Sequence, residues 1–134
     1  MIRSFSADDT EALVELWRRC ELLRPWNDPH DDIERKLATD PDLLLVAIED
    51  GAVVGSAMVG YDGHRGWVNY LAVDPDSRRR GIGRSLMTEA ERLLTDLGCP
   101  KLNLQIRTGN AAAVEFYARL GYRVEGIISM GRRL

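Results

Sequence analysis

Apolar positions change their spacing several times along the chain, and each change marks an element. Residues 2–5 alternate as a short strand. Ser6 and Asp9 form a capping-box pattern, and Leu13, Leu16, Trp17 and Cys20 follow at helical spacing, which predicts a helix over 8–20. The stretch LLRPWNDP (22–29) breaks it. Asp28 before Pro29 can cap a second, short helix with Ile33 and Leu37 on its inner face. Residues 43–49 read as an apolar strand. Asp50-Gly51 is a hairpin turn, and 52–61 returns antiparallel. After a turn at 62–66, a third long strand covers 67–73. Ile82, Leu86, Ala90, Leu93, Leu94 and Leu97 then trace a long amphipathic helix, which Gly98 ends and Pro100 cannot continue. Residues 101–106 alternate like a strand. Asn110 can cap a last helix, with Val114, Tyr117 and Leu120 on one stripe and Gly121 at its end; 122–133 should hold one or two final strands.

This order predicts a single α/β domain over 1–134: one mixed sheet of about six or seven strands, flanked by about four helices. Strand, helix and strand over 67–106 form one crossover unit, which should be parallel.

Charge narrows the class of partner. The formal net charge is −3, which argues against wholesale nucleic-acid binding. Cys20 and Cys99 form neither a metal spacing nor a disulfide framework, and His30 and His64 have no partner at metal-ligand spacing, so no metal is expected. The acidic start and the lack of any apolar run near the ~20 residues that span a bilayer point to a cytoplasmic protein without a membrane partner.

One stretch runs against the acidic background. In DPDSRRRGIGRSLM (74–87), Arg78, Arg79, Arg80 and Arg84 surround Gly81 and Gly83 where a strand gives way to a helix, and Ser85 adds a hydroxyl. A helix start offers unpaired N–H groups and partial positive charge, so the junction suits a phosphate-bearing anion. It is not a Walker loop, since no G-K-[ST] follows. It is a poor dinucleotide fingerprint, since the third glycine is missing.

YLAVDPDSRRRGIGRSLM (70–87) followed by NLQIRTGNAAAVEFYARLGY (103–122) resembles the GNAT superfamily of acyl-CoA-dependent N-acyltransferases. The first segment matches that family's strand, V-x-P and R-x-x-G-x-G motif. The second matches its N-x-x-A-x-x-x-Y-x-x-x-G-[FY] motif at Asn110, Ala113, Tyr117, Gly121 and Tyr122. CELLRPWNDPHDDIERKL (20–37) and GYDGHRG (60–66) look closer to the YpeA-type bacterial branch. The resemblance implies a GNAT-like fold and acetyl-CoA as cosubstrate. It implies that main-chain N–H groups of Arg79, Arg80, Gly81, Ile82, Gly83 and Arg84 wrap the diphosphate, with Arg78 opening the motif and Ser85 beside it. Main-chain groups of Leu71 and Val73 would pair with the pantetheine amides, a free N–H near Tyr70 or Leu71 would polarise the thioester carbonyl, and Asn110 would lie near the thiol end.

Tyr117 matches the family's general acid. A thiol near 8.5 and a phenol near 10 make full proton transfer uphill, so a hydrogen bond to the departing thiolate is its modest role. On residue pattern alone, Tyr117 reads as a core tyrosine of an amphipathic helix; the family pattern is what reverses that reading. No nucleophilic cysteine is needed, since direct attack by the amine is the family's usual route. The base has no carboxylate candidate on the central strand. Gln105 stands where relatives that acetylate protein N-termini carry glutamate, which leaves His64, then Asp62, or an amine of lowered pKa or a water chain to bulk. The acceptor should meet the wall LLRPWNDP, where Trp26 could pack it and Arg24 or Asp28 could select charge; Trp26 reads equally as a loop anchor, and Asp28 reads first as a helix cap. The leading expectation is acetyl transfer to a small-molecule primary amine. Alternatives are a protein N-terminus or lysine as acceptor, and a non-catalytic acyl-CoA-binding module. Dimers are common in the family, so a homodimer is admitted.

Overall fold

The computed structural model describes residues 1–134, and they fall into two compact units, Met1–Leu104 and Gln105–Leu134. The first holds five strands and three α-helices: β1 (Ile2–Ser4), α1 (Thr10–Arg19), α2 (Pro29–Thr39), β2 (Leu44–Glu49), β3 (Ala52–Tyr61), β4 (Gly66–Val73), α3 (Ile82–Asp96) and β5 (Leu102–Asn103). The strands lie in the sheet in chain order. Pairs β1–β2, β2–β3 and β3–β4 are antiparallel, and β4–β5, joined through α3, is parallel as expected.

Period-two alternation puts the helices on opposite faces. Ser56 accepts a hydrogen bond from the indole N–H of Trp17 on α1 (3.0 Å), whereas a Cβ on its neighbour Gly55 would lie 3.0 Å from Ile82 and Leu86 of α3. One core layer gathers Leu13, Leu16 and Trp17 of α1 and Ile33 of α2 over Leu44, Val46 and Ala72. On α3 the buried positions are Gly83, Leu86, Met87, Ala90 and Leu94, a stripe at helical spacing. Close approach at Gly55, and at Gly66 where a Cβ would meet Leu94 and Cys99 within 3 Å, lets α3 lie directly on β3 and β4.

Caps set the helix starts. The Ser6 amide donates to Asp9 (2.8 Å), which also takes a two-pronged bond from Arg3 on β1 (2.7 and 3.0 Å). Asp28 caps α2 through the His30 amide (2.9 Å), with Pro29 in the first turn. The 8–20 helix is a short 3-10 turn at Ala7–Asp9 followed by α1.

In the second unit, α4 (Ala111–Arg119) is capped by Asn110, whose side-chain oxygen accepts from the Ala113 amide (3.2 Å). This brings the helix count to four, as expected, but the sheet has five strands rather than six or seven. Residues 122–133 form no strand: Gly126 interrupts their alternation, and Val124, Ile127, Ile128 and Met130 are exposed. The strand expected over 101–106 shrinks to Leu102–Asn103, because its pairing with β4 stops at Trp67 opposite Asn103. No helix is long and apolar enough to cross a membrane.

Candidate active site

Beyond β4 the chain makes a short 3-10 turn, Pro75–Ser77, tied down by charge. Asp74 accepts from the Asp76 amide (2.9 Å), and Arg19 at the end of α1 reaches both Asp74 and Asp76. Arg78 folds back, its Nε donating to the Val73 carbonyl (3.2 Å), which also accepts from the Cys20 thiol (3.3 Å). Burial pushes that thiol up from its ordinary value. Arg79 (φ +67°) and Gly81 (φ +77°) are both left-handed, so the backbone turns sharply into α3. A Cβ on Gly81 would meet nothing within 4 Å; space is open here, and conformation alone demands glycine.

The first bond of α3 runs from the Ser85 amide to the Gly81 carbonyl (3.0 Å). The amides of Ile82, Gly83 and Arg84 therefore precede the helical ladder and have no carbonyl within it. Arg79, Arg80 and Arg84 are exposed around them, with Arg80 paired to Glu49 (3.0 Å). An open, left-handed turn at a helix start, ringed by guanidinium groups, fits a diphosphate.

β4 itself is irregular. Its register with β3 shifts between Ser56–Ala72 and Met58–Asn69, leaving Tyr70 and Leu71 as a bulge opposite Ala57. Tyr70 sits at φ +52°, an unusual conformation for an aromatic residue. Its carbonyl accepts from the Ser56 hydroxyl (2.7 Å), its ring stacks on Trp17 (centroids 3.8 Å apart, planes 12° apart), and its hydroxyl donates to Asp32 on α2 (2.6 Å). Burial first, then Asp32, pushes the phenol above its ordinary value. The Asp74 amide bonds the Val54 carbonyl (2.8 Å), so by alternation Val73 turns its main-chain groups away from β3, along the edge where pairing with β5 has ended. The Val73 carbonyl already carries two donors.

The chain between α1 and α2 borders an open cleft of about 830 Å³ lined by Leu23–Asp31, including Arg24, Trp26, Asp28, His30 and Asp31. Arg24 is turned onto the main chain at Glu21 and Leu23 (2.7 and 3.0 Å), and Trp26 is exposed. His30 bonds Glu11 (3.0 Å), which with Asp28 raises its pKa. The two base candidates differ. Asp62 clamps its own turn, accepting from the amides of Arg65 and His64 (2.7 and 2.8 Å), which hold its carboxyl below the ordinary range. His64 is exposed at the tip of that turn.

In the second unit, Asn110 is engaged as a cap, and Gln105 donates to the Ser129 hydroxyl (2.6 Å). Tyr117 meets Phe116 and Tyr122 edge to face, with centroids 5.0 and 5.9 Å apart. Burial pushes its phenol up to about 12. Asp32 and Trp17 escaped the sequence reading as partners of Tyr70. Both sit at ordinary helical positions, and a left-handed tyrosine leaves no mark in sequence.

The mixed sheet, the bulged β4 and the glycine- and arginine-rich start of α3 agree with the fold and motifs that the sequence resemblance implied. The acetyltransferase (GNAT) family pattern matches residues 10–122, and the chain belongs to that family. It is 53% identical over 133 residues to an acetyltransferase of Pectobacterium atrosepticum and 51% identical to one of Yersinia pestis, covering 99% of this chain and 94% of each relative. Among solved structures, AAC(6')-Iy bound to a CoA-S-monomethyl-acetylneamine bisubstrate analogue superposes with TM-score 0.82 at 22% identity, over 100% of this chain and 98% of that one. The ribosomal-protein-S18-alanine N-acetyltransferase of Escherichia coli gives 0.75 at 25% identity, over 90% and 76%. The protein is an acetyl-CoA-dependent acetyltransferase with acetyl-CoA as cosubstrate, which decides for the enzyme over the bare binding module.

Proposed function

We propose that this enzyme moves the acetyl group of acetyl-CoA directly onto a small-molecule primary amine. The observation that carries the reading is the turn Arg78–Ser85, with its open left-handed Gly81 and the amides of Ile82, Gly83 and Arg84 ahead of the first helical bond. In this reading those amides, with Arg79 and Arg80, hold the diphosphate. The pantetheine runs along the Leu71–Val73 edge of β4, pairing through Leu71 rather than through the occupied Val73 carbonyl, and the Leu71 amide polarises the thioester carbonyl. The resemblance gives Asn110 a place near the thiol end and Tyr117 the role of acid. A phenol at about 12 keeps its proton at neutral pH and serves as a hydrogen-bond donor to the thiolate.

A small cationic acceptor is supported by the cleft at Leu23–Asp31, where Asp28 and Asp31 border the exposed Trp26. The full-length likeness to AAC(6')-Iy in its bisubstrate complex supports the same class. Asp62 is spent on its turn, so the proton of the amine leaves through water or His64. Residues 1–134 act as one N-acetyltransferase domain of the YpeA-type branch, in the cytoplasm, alone or as a homodimer. A second reading, acetylation of a protein N-terminus or lysine, draws on the likeness to the ribosomal-protein-S18-alanine enzyme. Gln105 opposes it, since an amide cannot take a proton at neutral pH. Thiol release from acetyl-CoA, corrected for hydrolysis, across polyamines, aminoglycosides, amino acids and short peptides tests both readings. Turnover with the small amines is expected; turnover confined to peptides would replace the first reading with the second.

A further inference from the structure

The bulge at Tyr70–Leu71 is held from three sides, and only two of the holds belong to the core. Trp17 stacks on the ring, and Ser56, itself anchored by the Trp17 indole, holds the Tyr70 carbonyl. The third is polar and sits at the rim. The Tyr70 hydroxyl donates to Asp32 Oδ2 (2.6 Å), and Arg35, one turn along α2, holds Asp32 Oδ1. A tyrosine at φ +52° is conformationally strained and persists only where its surroundings over-determine it. The stack alone leaves the ring free to slide across the indole face. A short hydrogen bond at the far end of the ring fixes both its position and the backbone torsion from which it springs.

We propose that Asp32 is a positioning residue for acetyl transfer: through the Tyr70 hydroxyl it locks the left-handed bulge of β4 and so aims the Leu71 amide along the open strand edge. The catalytic consequence rests on the acetyl-transfer reading given above; the lock itself does not. Asp32 touches no reacting atom in this scheme. It bridges α2, which borders the acceptor cleft, to the strand on which the thioester lies. Displacing an oxyanion donor by a fraction of an ångström weakens a preorganised site without weakening diphosphate binding, which takes place at the start of α3.

The test uses the full chain as Asp32→Ala, Asp32→Asn and Tyr70→Phe, each assayed with acetyl-CoA and the best amine and each followed by amide hydrogen exchange. Asp32→Ala and Tyr70→Phe should lower kcat by about 10- to 100-fold, the scale of a misplaced reacting group, with the KM for acetyl-CoA unchanged. The double variant should be no worse than either single one, as for two ends of one contact. Asp32→Asn keeps an acceptor oxygen and should recover most of the rate. Exchange of the amides flanking the bulge, at Asn69 and Ala72, should quicken in Asp32→Ala and Tyr70→Phe but not in Asp32→Asn. Tyr70→Phe keeps the stack, so it reports even if Asp32→Ala fails to fold.

Unchanged exchange at Asn69 and Ala72 would overturn the lock. A raised acceptor KM at constant kcat would overturn it too, marking Asp32 as an acceptor ligand. So would a rate lost in Asp32→Asn with normal exchange, the mark of a proton acceptor. If the wild type acetylates no amine, the transfer reading fails alone, and the exchange experiment still decides on the lock.

Discussion

Gly81 meets one demand, a left-handed backbone, on a surface that is otherwise open. Gly81→Glu adds strain, bulk and negative charge where the diphosphate should sit, and acetyl-CoA binding measured by calorimetry should vanish. Arg78→Ala should weaken binding by about 1–3 kcal/mol, the range for charge-assisted bonds. Its guanidinium also holds the Val73 carbonyl, so the loss includes a loosened strand end. Tyr117→Phe should cut kcat by about 100-fold or more at constant acetyl-CoA affinity if the phenol serves the leaving thiolate. With its pKa pushed to about 12, Tyr117 stays protonated up to about pH 10. It therefore places no falling limb in the pH–rate profile between about pH 7 and about pH 10. A limb in that range that disappears in Tyr117→Phe would contradict the assignment.

At the scale of elements, the fold depends on a few close approaches and caps. A methyl group at Gly55 would press on Ile82 and Leu86 at 3.0 Å and on the Ala72 carbonyl at 3.1 Å, so α3 would have to lift off β3. Gly55→Ala should cost about 1–3 kcal/mol in urea unfolding, and it should weaken acetyl-CoA binding because the start of α3 moves. Asp9 joins β1 to the entry of α1. Arg3 and the Ser6 amide hold its carboxyl below the usual range, so the folded state binds its proton less readily than the unfolded chain. That contribution is complete above the ordinary carboxylate pKa of about 4 and is lost as pH falls through the lower folded value. Asp9→Asn should therefore unfold at lower urea than the wild type near neutrality, and the gap should narrow on acidification. An equal gap at all pH values would show that the charge on Asp9 is immaterial.

At the scale of the molecule, cosubstrate binding and stability are one equilibrium. Acetyl-CoA at about 100 times its Kd should stabilise the native state by about 2.7 kcal/mol, visible as a raised Tm. The Gly81→Glu chain should show no such shift, and an equal shift would move the binding site elsewhere.

Local signals in the chain determined much of this. Capping residues, hairpin turns and apolar spacing placed α1 to α4 and β2 to β4 within a residue or two, since those elements are set by contacts near in sequence. The pairing of short motifs at 70–87 and 103–122 carried the family and the cosubstrate, because a helix start that binds phosphate needs glycine and arginine at set positions. What only the tertiary structure decided depends on partners far apart in the chain. A strand exists only where another strand pairs with it, so the apolar run at 122–133 and the outer half of 101–106 did not become sheet. The left-handed Tyr70, the Trp17 stack beneath it and the Asp32 carboxylate at its tip come from three elements, and no spacing in the sequence announces their meeting.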